Sequence, residues 1–329
     1  MTALTDRVRA LARRGGARRE APAGPRRETP ARSRRVVLHL GSQKTGTTAV
    51  QAWCREHAEE LAGHGILSRT TQTEIRAALD GWYDVSRDGA DDLLRAYLEA
   101  AFDGDGTGSA TSLFYSSESN VGPALVPGEP GLYPRIATNL AGIDRATSGL
   151  ERHVQFTVRS YAPFLESAYL QQLKHGRALT FAQFMAGVDP GYSWVPVVRT
   201  LVDVFGADRL AVYDYDAPRP DDAQLVGRIL GDAAGWLGAP DATAGADWSH
   251  RTNPRYTRRM TDLALAALPL LRTPDERRQF HRFLATAVAR SEASAREEPA
   301  TFVAADEAAA LDDRYRADLA HIRQLVEVR

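Results

Sequence analysis

The run Val36-Val37-Leu38-His39-Leu40-Gly41-Ser42-Gln43-Lys44-Thr45-Gly46-Thr47-Thr48 joins a short apolar segment to a polar loop bounded by glycines. The apolar residues around His39, stopped by Gly41, read as a buried strand. After the loop, Val50, Trp53, Cys54, His57 and Leu61 mark one face at helical spacing, and Gly63 and Gly65 end it. A glycine turn between strand and helix is a setting in which a backbone binds phosphate. The glycines let successive N–H groups converge on an anion, and the helix N-terminus adds its dipole and free donors. Thr47 and Thr48 add hydroxyls.

Working outward, Ser112–Ser116, Val154–Val158 and Leu210–Tyr213 read as three further strands. Helical patterns cover 72–102, with a break near Ser86 to Gly89, and about 221–237. Another helix follows the third strand, with Pro163 in its first turn and Gly176 beyond its end. Asp103 to Ser109 reads as a flexible glycine loop after a helix, the wrong context for a dinucleotide fingerprint. From about residue 256 the chain is helical, with loops around Pro274 and near 298–305. Strands alternating with helices predict an α/β fold, a parallel sheet flanked by helices on both faces, with a helical C-terminal part. Ligands in such sheets bind at the carboxyl ends of strands.

Residues 1–34 carry ten arginines and three acids, a net +7 in a chain whose total is −1, so the body is acidic overall and has no excess to attract nucleic acid. This tail, rich in Pro and Gly, reads as disordered, which leaves residues 35–329 as one α/β domain. Residues 4–14 also have the pattern of a basic amphipathic helix that would touch anionic lipid or a partner. No apolar stretch follows the arginines as in a signal peptide, although an Arg-rich, acid-poor start imitates a transit peptide. The single cysteine, Cys54, excludes an internal disulfide, and the eight histidines include no HExxH; a cytoplasmic protein without a metal is expected. Of 41 basic residues only Lys44 and Lys174 are lysine. In a chain so biased to arginine, a retained lysine points to a place where a compact ammonium fits and a guanidinium fork does not.

The loop departs from the triphosphatase pattern GxxxxGK[ST]. Its Gly-x4-Gly spacing survives, but Thr47 replaces the lysine, which sits inside the loop as Lys44. That change suits a single phosphate bearing a sulfuryl group. His39-Leu-Gly-Ser-Gln-Lys-Thr-Gly-Thr-Thr48 resembles the 5′-phosphosulfate loop of sulfotransferases, in the branch that includes carbohydrate sulfotransferases. The resemblance implies that Gly41, Ser42, Lys44, Thr45, Gly46, Thr47 and Thr48 hold the donor, 3′-phosphoadenosine 5′-phosphosulfate.

A second run, Arg159 to Gln171, resembles the family's 3′-phosphate motif. There an Arg at a strand end and a Ser eight residues on, here Arg159 and Ser167, grip one phosphate. Arg offers a planar fork, and Ser one hydroxyl donor. Ser167, Gln171 and Lys174 fall at i, i+4 and i+7 on one helix face, which would line the nucleotide cleft. Two further likenesses are loose: Asp214-Tyr215-Asp216 with the helix ending Trp236-Leu237-Gly238, and His250 to Pro254, which implies nucleotide contacts from Arg251 and Asn253. The last also reads as an ordinary Asn-Pro turn.

Sulfuryl transfer needs a stabilised leaving phosphate and a base for the acceptor proton. The resemblance gives the first role to Lys44 and the second to a Glu or His. Glu118, just after the second expected strand, is the candidate base; the plainer alternatives are that it caps a turn or pairs with Arg159. His39 reads as structural and His57 as a core histidine. A hydroxyl or amine acceptor is implied, and carbohydrate, lipid and small molecule stay open. A phosphotransferase on the same fold and a non-catalytic nucleotide-binding protein are the competing readings.

Overall fold

A computed structural model of the chain describes residues 33–70, 90–103, 111–218, 222–246, 248, 256–284, 286 and 300–329. The basic tail up to residue 32, the start of the helical pattern expected from 72, the glycine loop after Asp103, and the segment with Arg251 and Asn253 lie outside these residues.

Five strands form one parallel sheet: β1 (Arg35–His39), β2 (Ile66–Arg69), β3 (Ser112–Ser116), β4 (Glu151–Val158) and β5 (Leu210–Asp214), in the order β2-β3-β1-β4-β5. The chain leaves central β1 for one edge, returns through β3, and crosses to β4 and β5 on the other side. The direction therefore reverses at β1, and the crevice at such a switch point opens at the carboxyl ends of β1 and its neighbours. β2 was not among the expected strands; it has four residues, of which only Ile66 is buried, so its apolar signal is weak. β4 starts three residues earlier than expected, in its more exposed part.

Side chains of the strands alternate between two cores. Val36, Leu38, Leu113, Tyr115, Val154, Phe156 and Val212 pack on one face, and Val37, Phe114, Ala211 and Tyr213 on the other. A sheet buried on both faces must satisfy any polar side chain it holds. Gln155 of β4 does so with its amide nitrogen, which donates to Tyr213 Oη at 2.9 Å and to the Ile229 carbonyl at 2.7 Å, while its Oε1 finds no partner among the described residues.

The second face is covered by α1 (Thr47–Glu56), α2 (Ala58–Gly63) and α8 (Asp222–Trp236). The single helix expected after the loop is thus two, broken at His57 (φ −107°, ψ 23°), with Val50, Trp53, Cys54 and Leu61 still on the buried side. The first face carries α3 (Ala90–Asp103), α4 (Ile136–Ala146), α5 (Tyr161–Lys174), α6 (Phe181–Met185) and α7 (Trp194–Phe205). Ser193 caps α7 by accepting from Val195 N, and Trp194, Val197, Val198, Leu201 and Phe205 form its buried stripe. Truncating fully buried Leu201 to Ala would cost about 2–5 kcal/mol.

The helical C-terminal part comprises α9 (Arg258–Ala267), α10 (Pro274–Phe283) and α11 (Ala305–Leu325). Pro274 is not in the loop but opens α10, where its missing N–H costs nothing; Thr273 and Glu276 form a capping box around it. Beyond α11 the chain runs along β5, with Arg329 N on the Val212 carbonyl at 2.8 Å. Among the described residues no helix is long and apolar enough to cross a membrane.

Candidate functional site

The carboxyl ends of β1, β3 and β4 bring three segments together. β1 delivers the loop Leu40–Gly46. Gly41 has φ +26°, and a Cβ there would meet Thr47 Cγ2 at 2.5 Å, so the first turn of α1 closes tightly onto the loop. Gly46 (φ +81°) precedes α1 directly, and Lys44 takes the left-handed conformation at φ 71° despite its side chain. Thr45 Oγ1 donates back to the Ser42 carbonyl at 2.6 Å, and Gln43 N donates to Tyr133 Oη at 2.9 Å.

These turns leave donors for a ligand. The N–H groups of Lys44, Gly46, Thr47 and Thr48 find no acceptor among the described residues. Ser42 Oγ is buried without a hydrogen-bond partner among those residues. A helix N-terminus with consecutive unpaired N–H groups is an anion cradle. Thr47 is buried and Thr48 exposed. Below the loop, His39 is buried with Nδ1 on Ser116 Oγ at 2.8 Å, and burial lowers its pKa to about 4. It supports Gly41 as a neutral ring, in keeping with a structural role.

From β3 comes Ser117, then a 3₁₀ turn from Glu118 to Val121. The Glu118 carboxylate accepts from Gln51 Nε2 at 3.0 Å, one turn into α1. From β4 comes Arg159, whose Nη1 donates to the Lys44 carbonyl at 2.6 Å while the guanidinium lies 4.6 Å from the Tyr215 ring centroid. Tyr215 stands just past β5 and its N–H is held by the Val158 carbonyl. Beside it, Asp216 accepts from Ser160 N at 2.6 Å, which fixes the entry to α5.

Helix α5 carries the rest. Ser167 is half-buried on it. One turn on, Gln171 Oε1 accepts from Lys44 Nζ, and Gln171 Nε2 meets His175 Nε2 at 2.8 Å. Burial lowers the Lys44 pKa to about 8; the positive charges of Lys174 and Arg159 add to this, and Glu118 opposes it. Lys44, Glu118, Arg159, Lys174 and the loop donors thus share one region. His57 does not: it lies at the opposite end of α1, stacked 4.2 Å from Trp53, roughly 15 Å along the helix from the loop. Among the described residues no three His, Cys, Asp or Glu side chains cluster as metal ligands would.

Four residues of this region escape a reading of motifs. Gln51 holds Glu118, Tyr133 closes the loop, Tyr215 backs Arg159, and Gln171, visible only as a helix-face neighbour of Ser167, holds Lys44. Gln51 leaves a trace as a polar residue on the apolar face of α1. Tyr133 comes from a loop and leaves none, and Tyr215 stands in the loosely similar run Asp214-Tyr215-Asp216, which gave it no role.

No family model matches the chain, and no curated protein matches it. Among solved structures it is similar to a sulfotransferase from Alicyclobacillus acidocaldarius, at 16% identity and a TM-score of 0.41 over 75% of this chain and 100% of that one.

Proposed function

We propose that this protein transfers a sulfuryl group from 3′-phosphoadenosine 5′-phosphosulfate to a hydroxyl or amine of an acceptor. One observation carries the reading: Arg159, head of the second phosphate motif, is bonded to the carbonyl of Lys44, at the centre of the first. Two motifs 115 residues apart therefore meet in the fold, which supports reading them as one site for a ligand with two separated phosphate groups.

In this reading the loop N–H groups and Ser42 hold the 5′-phosphate, and Arg159 with Ser167 holds the 3′-phosphate. Arg251 and Asn253 would contact the nucleotide. The acceptor oxygen attacks sulfur as the S–O bond to the 5′-phosphate breaks. Glu118 takes the acceptor proton, and the bridging oxygen leaves with the bonding electrons, its charge met by the Lys44 ammonium. Gln51 aims the carboxylate and Gln171 the ammonium. The acceptor belongs to carbohydrate, lipid or small-molecule chemistry.

Calorimetry with adenosine 3′,5′-bisphosphate, the donor product, tests the reading. Binding tighter than that of ATP with Mg²⁺ is expected, with a rise in melting temperature by mass action. Tighter binding of Mg·ATP would replace it by the phosphotransferase reading. Bisphosphate binding without any breakdown of labelled donor would leave a nucleotide-binding protein.

A further inference from the structure

The only two lysines of the chain, 130 residues apart in sequence, both come to helix α5: Lys174 stands on it, and Lys44 donates to its Gln171. Lys174, by its positive charge, helps burial to lower the Lys44 pKa. It lies one turn beyond Gln171, the residue that receives the Lys44 ammonium. The other 39 basic residues are arginine, and both retained lysines are associated with the same helix. Local stability does not account for this, because two partly buried ammonium groups repel each other and are poorly solvated.

The Lys174 ammonium lies 4.9 Å from the Tyr256 ring centroid, and among the described residues it meets no carboxylate and no hydrogen-bond acceptor. Tyr256 is fixed in turn, its hydroxyl 2.6 Å from His281 Nδ1. An aromatic face positions a cation but leaves its N–H donors unspent. His175 and His281 flank the same end of α5, and the carboxylate acting on Lys44 there is Glu118. Among the described residues, no carboxylate therefore neutralises the Lys174 ammonium.

We infer that Lys174 and Lys44 grip one anion between them, and that this anion is the sulfuryl group in transit. The inference rests on the donor reading above and assigns Lys174 a catalytic role rather than a place on the nucleotide. Lys44 meets the bridging oxygen, and Lys174 meets the non-bridging sulfuryl oxygens. Lys174 forms and breaks no bond. It holds the group in line while the S–O bond to the 5′-phosphate breaks, the bond to the acceptor oxygen forms, and the acceptor proton goes to Glu118. A compact ammonium serves because two guanidinium forks are too wide to converge on one small tetrahedral group.

The test uses inorganic sulfate as probe, titrated calorimetrically into the full-length protein, free and saturated with adenosine 3′,5′-bisphosphate. Wild type should bind sulfate in both states, and Lys174→Gln and Lys44→Gln should each weaken it at least tenfold. Lys174→Gln should keep its bisphosphate affinity within about twofold and its melting temperature near wild type. Lys174→Arg keeps the charge on the helix, so it separates a need for charge from a need for a small cation; sulfate binding should fall there too. Breakdown of labelled donor with water as acceptor should drop with sulfate affinity. Sulfate binding that survives in Lys174→Gln, or is absent in wild type, overturns the shared site. Failure of the bisphosphate to bind while sulfate binding still needs both lysines would overturn the donor reading and leave the lysine pair standing as an anion site.

Discussion

Arg159 Nη1 donates to the main-chain carbonyl of Lys44 at 2.6 Å. A guanidinium thus braces the one non-glycine residue of the loop that sits at positive φ, and its ring partner Tyr215 holds the guanidinium plane from behind. Arg159→Ala should therefore lose more than one phosphate contact, because the loop itself loosens. A charge-assisted contact alone contributes about 1.5–3 kcal/mol. Bisphosphate affinity measured by calorimetry should fall by at least that amount, and Arg159→Lys should recover little of it, since an ammonium has neither the planar fork nor the stacking face. Unchanged affinity in Arg159→Ala would remove this residue from the site.

Glu118→Gln keeps the shape of the side chain and removes the basic oxygen. Turnover of labelled donor should drop by about 10²–10⁴-fold with the bisphosphate affinity near wild type. Gln51→Leu should lower turnover less, because the carboxylate survives but loses the amide that aims it. Near-normal turnover in Glu118→Gln would make Glu118 structural, and His57 is too remote to replace it.

The low pKa of Lys44, about 8 in the free protein, sets a pH dependence. The ammonium is present below that value and lost above it. The profile of kcat/KM should accordingly fall as pH rises through about 8, whereas bound donor, by adding negative charge, should move the falling limb of kcat upward. Stopped assays across pH 6–10 at low and saturating donor check both limbs. In Lys44→Arg the limb near 8 should vanish along with most of the activity, because the bulkier guanidinium cannot take the same place beside Gln171.

The two loop glycines should respond differently to alanine. At Gly41 the new methyl would sit 2.5 Å from Thr47 Cγ2, and the first turn of α1 must move. Bisphosphate binding should be abolished. At Gly46 the nearest outside atom is Tyr215 Cε2 at 3.6 Å, an ordinary contact, so only the left-handed conformation is penalised, by about 1–2 kcal/mol. Melting temperature and bisphosphate titration of both variants separate the cases; equal behaviour would mean that the loop is not tightly closed.

The strand–loop–helix unit and the three strands after it were legible because each is a local signal: apolar runs ended by glycine or by polar residues. β2 was not, because an edge strand of four residues, three of them half-exposed, has almost no apolar pattern. The break at His57 was invisible because α1 and α2 bury the same face, so the hydrophobic periodicity runs through it. Lys44, Glu118 and Arg159 could be brought to one edge from the sequence because Lys44 lies in the loop after β1 and the other two stand within two residues of a strand end, and strand ends share one edge in a parallel sheet. The parts of Gln51, Tyr133 and Tyr215 could not be read, although Tyr215 lay in a loosely similar run. Their parts depend on which loop folds over which, and that is decided by tertiary packing.

The solitary Cys54 lies wholly inside the second core, and burial pushes its thiol pKa far up, so it stays protonated and shielded from reagents. The native protein is in effect already a cysteine-free background for labelling. A single cysteine introduced on exposed Arg177, just past the end of α5, would take a maleimide fluorophore selectively. Ligand-driven changes around the loop could then be followed optically without first mutating the wild-type chain.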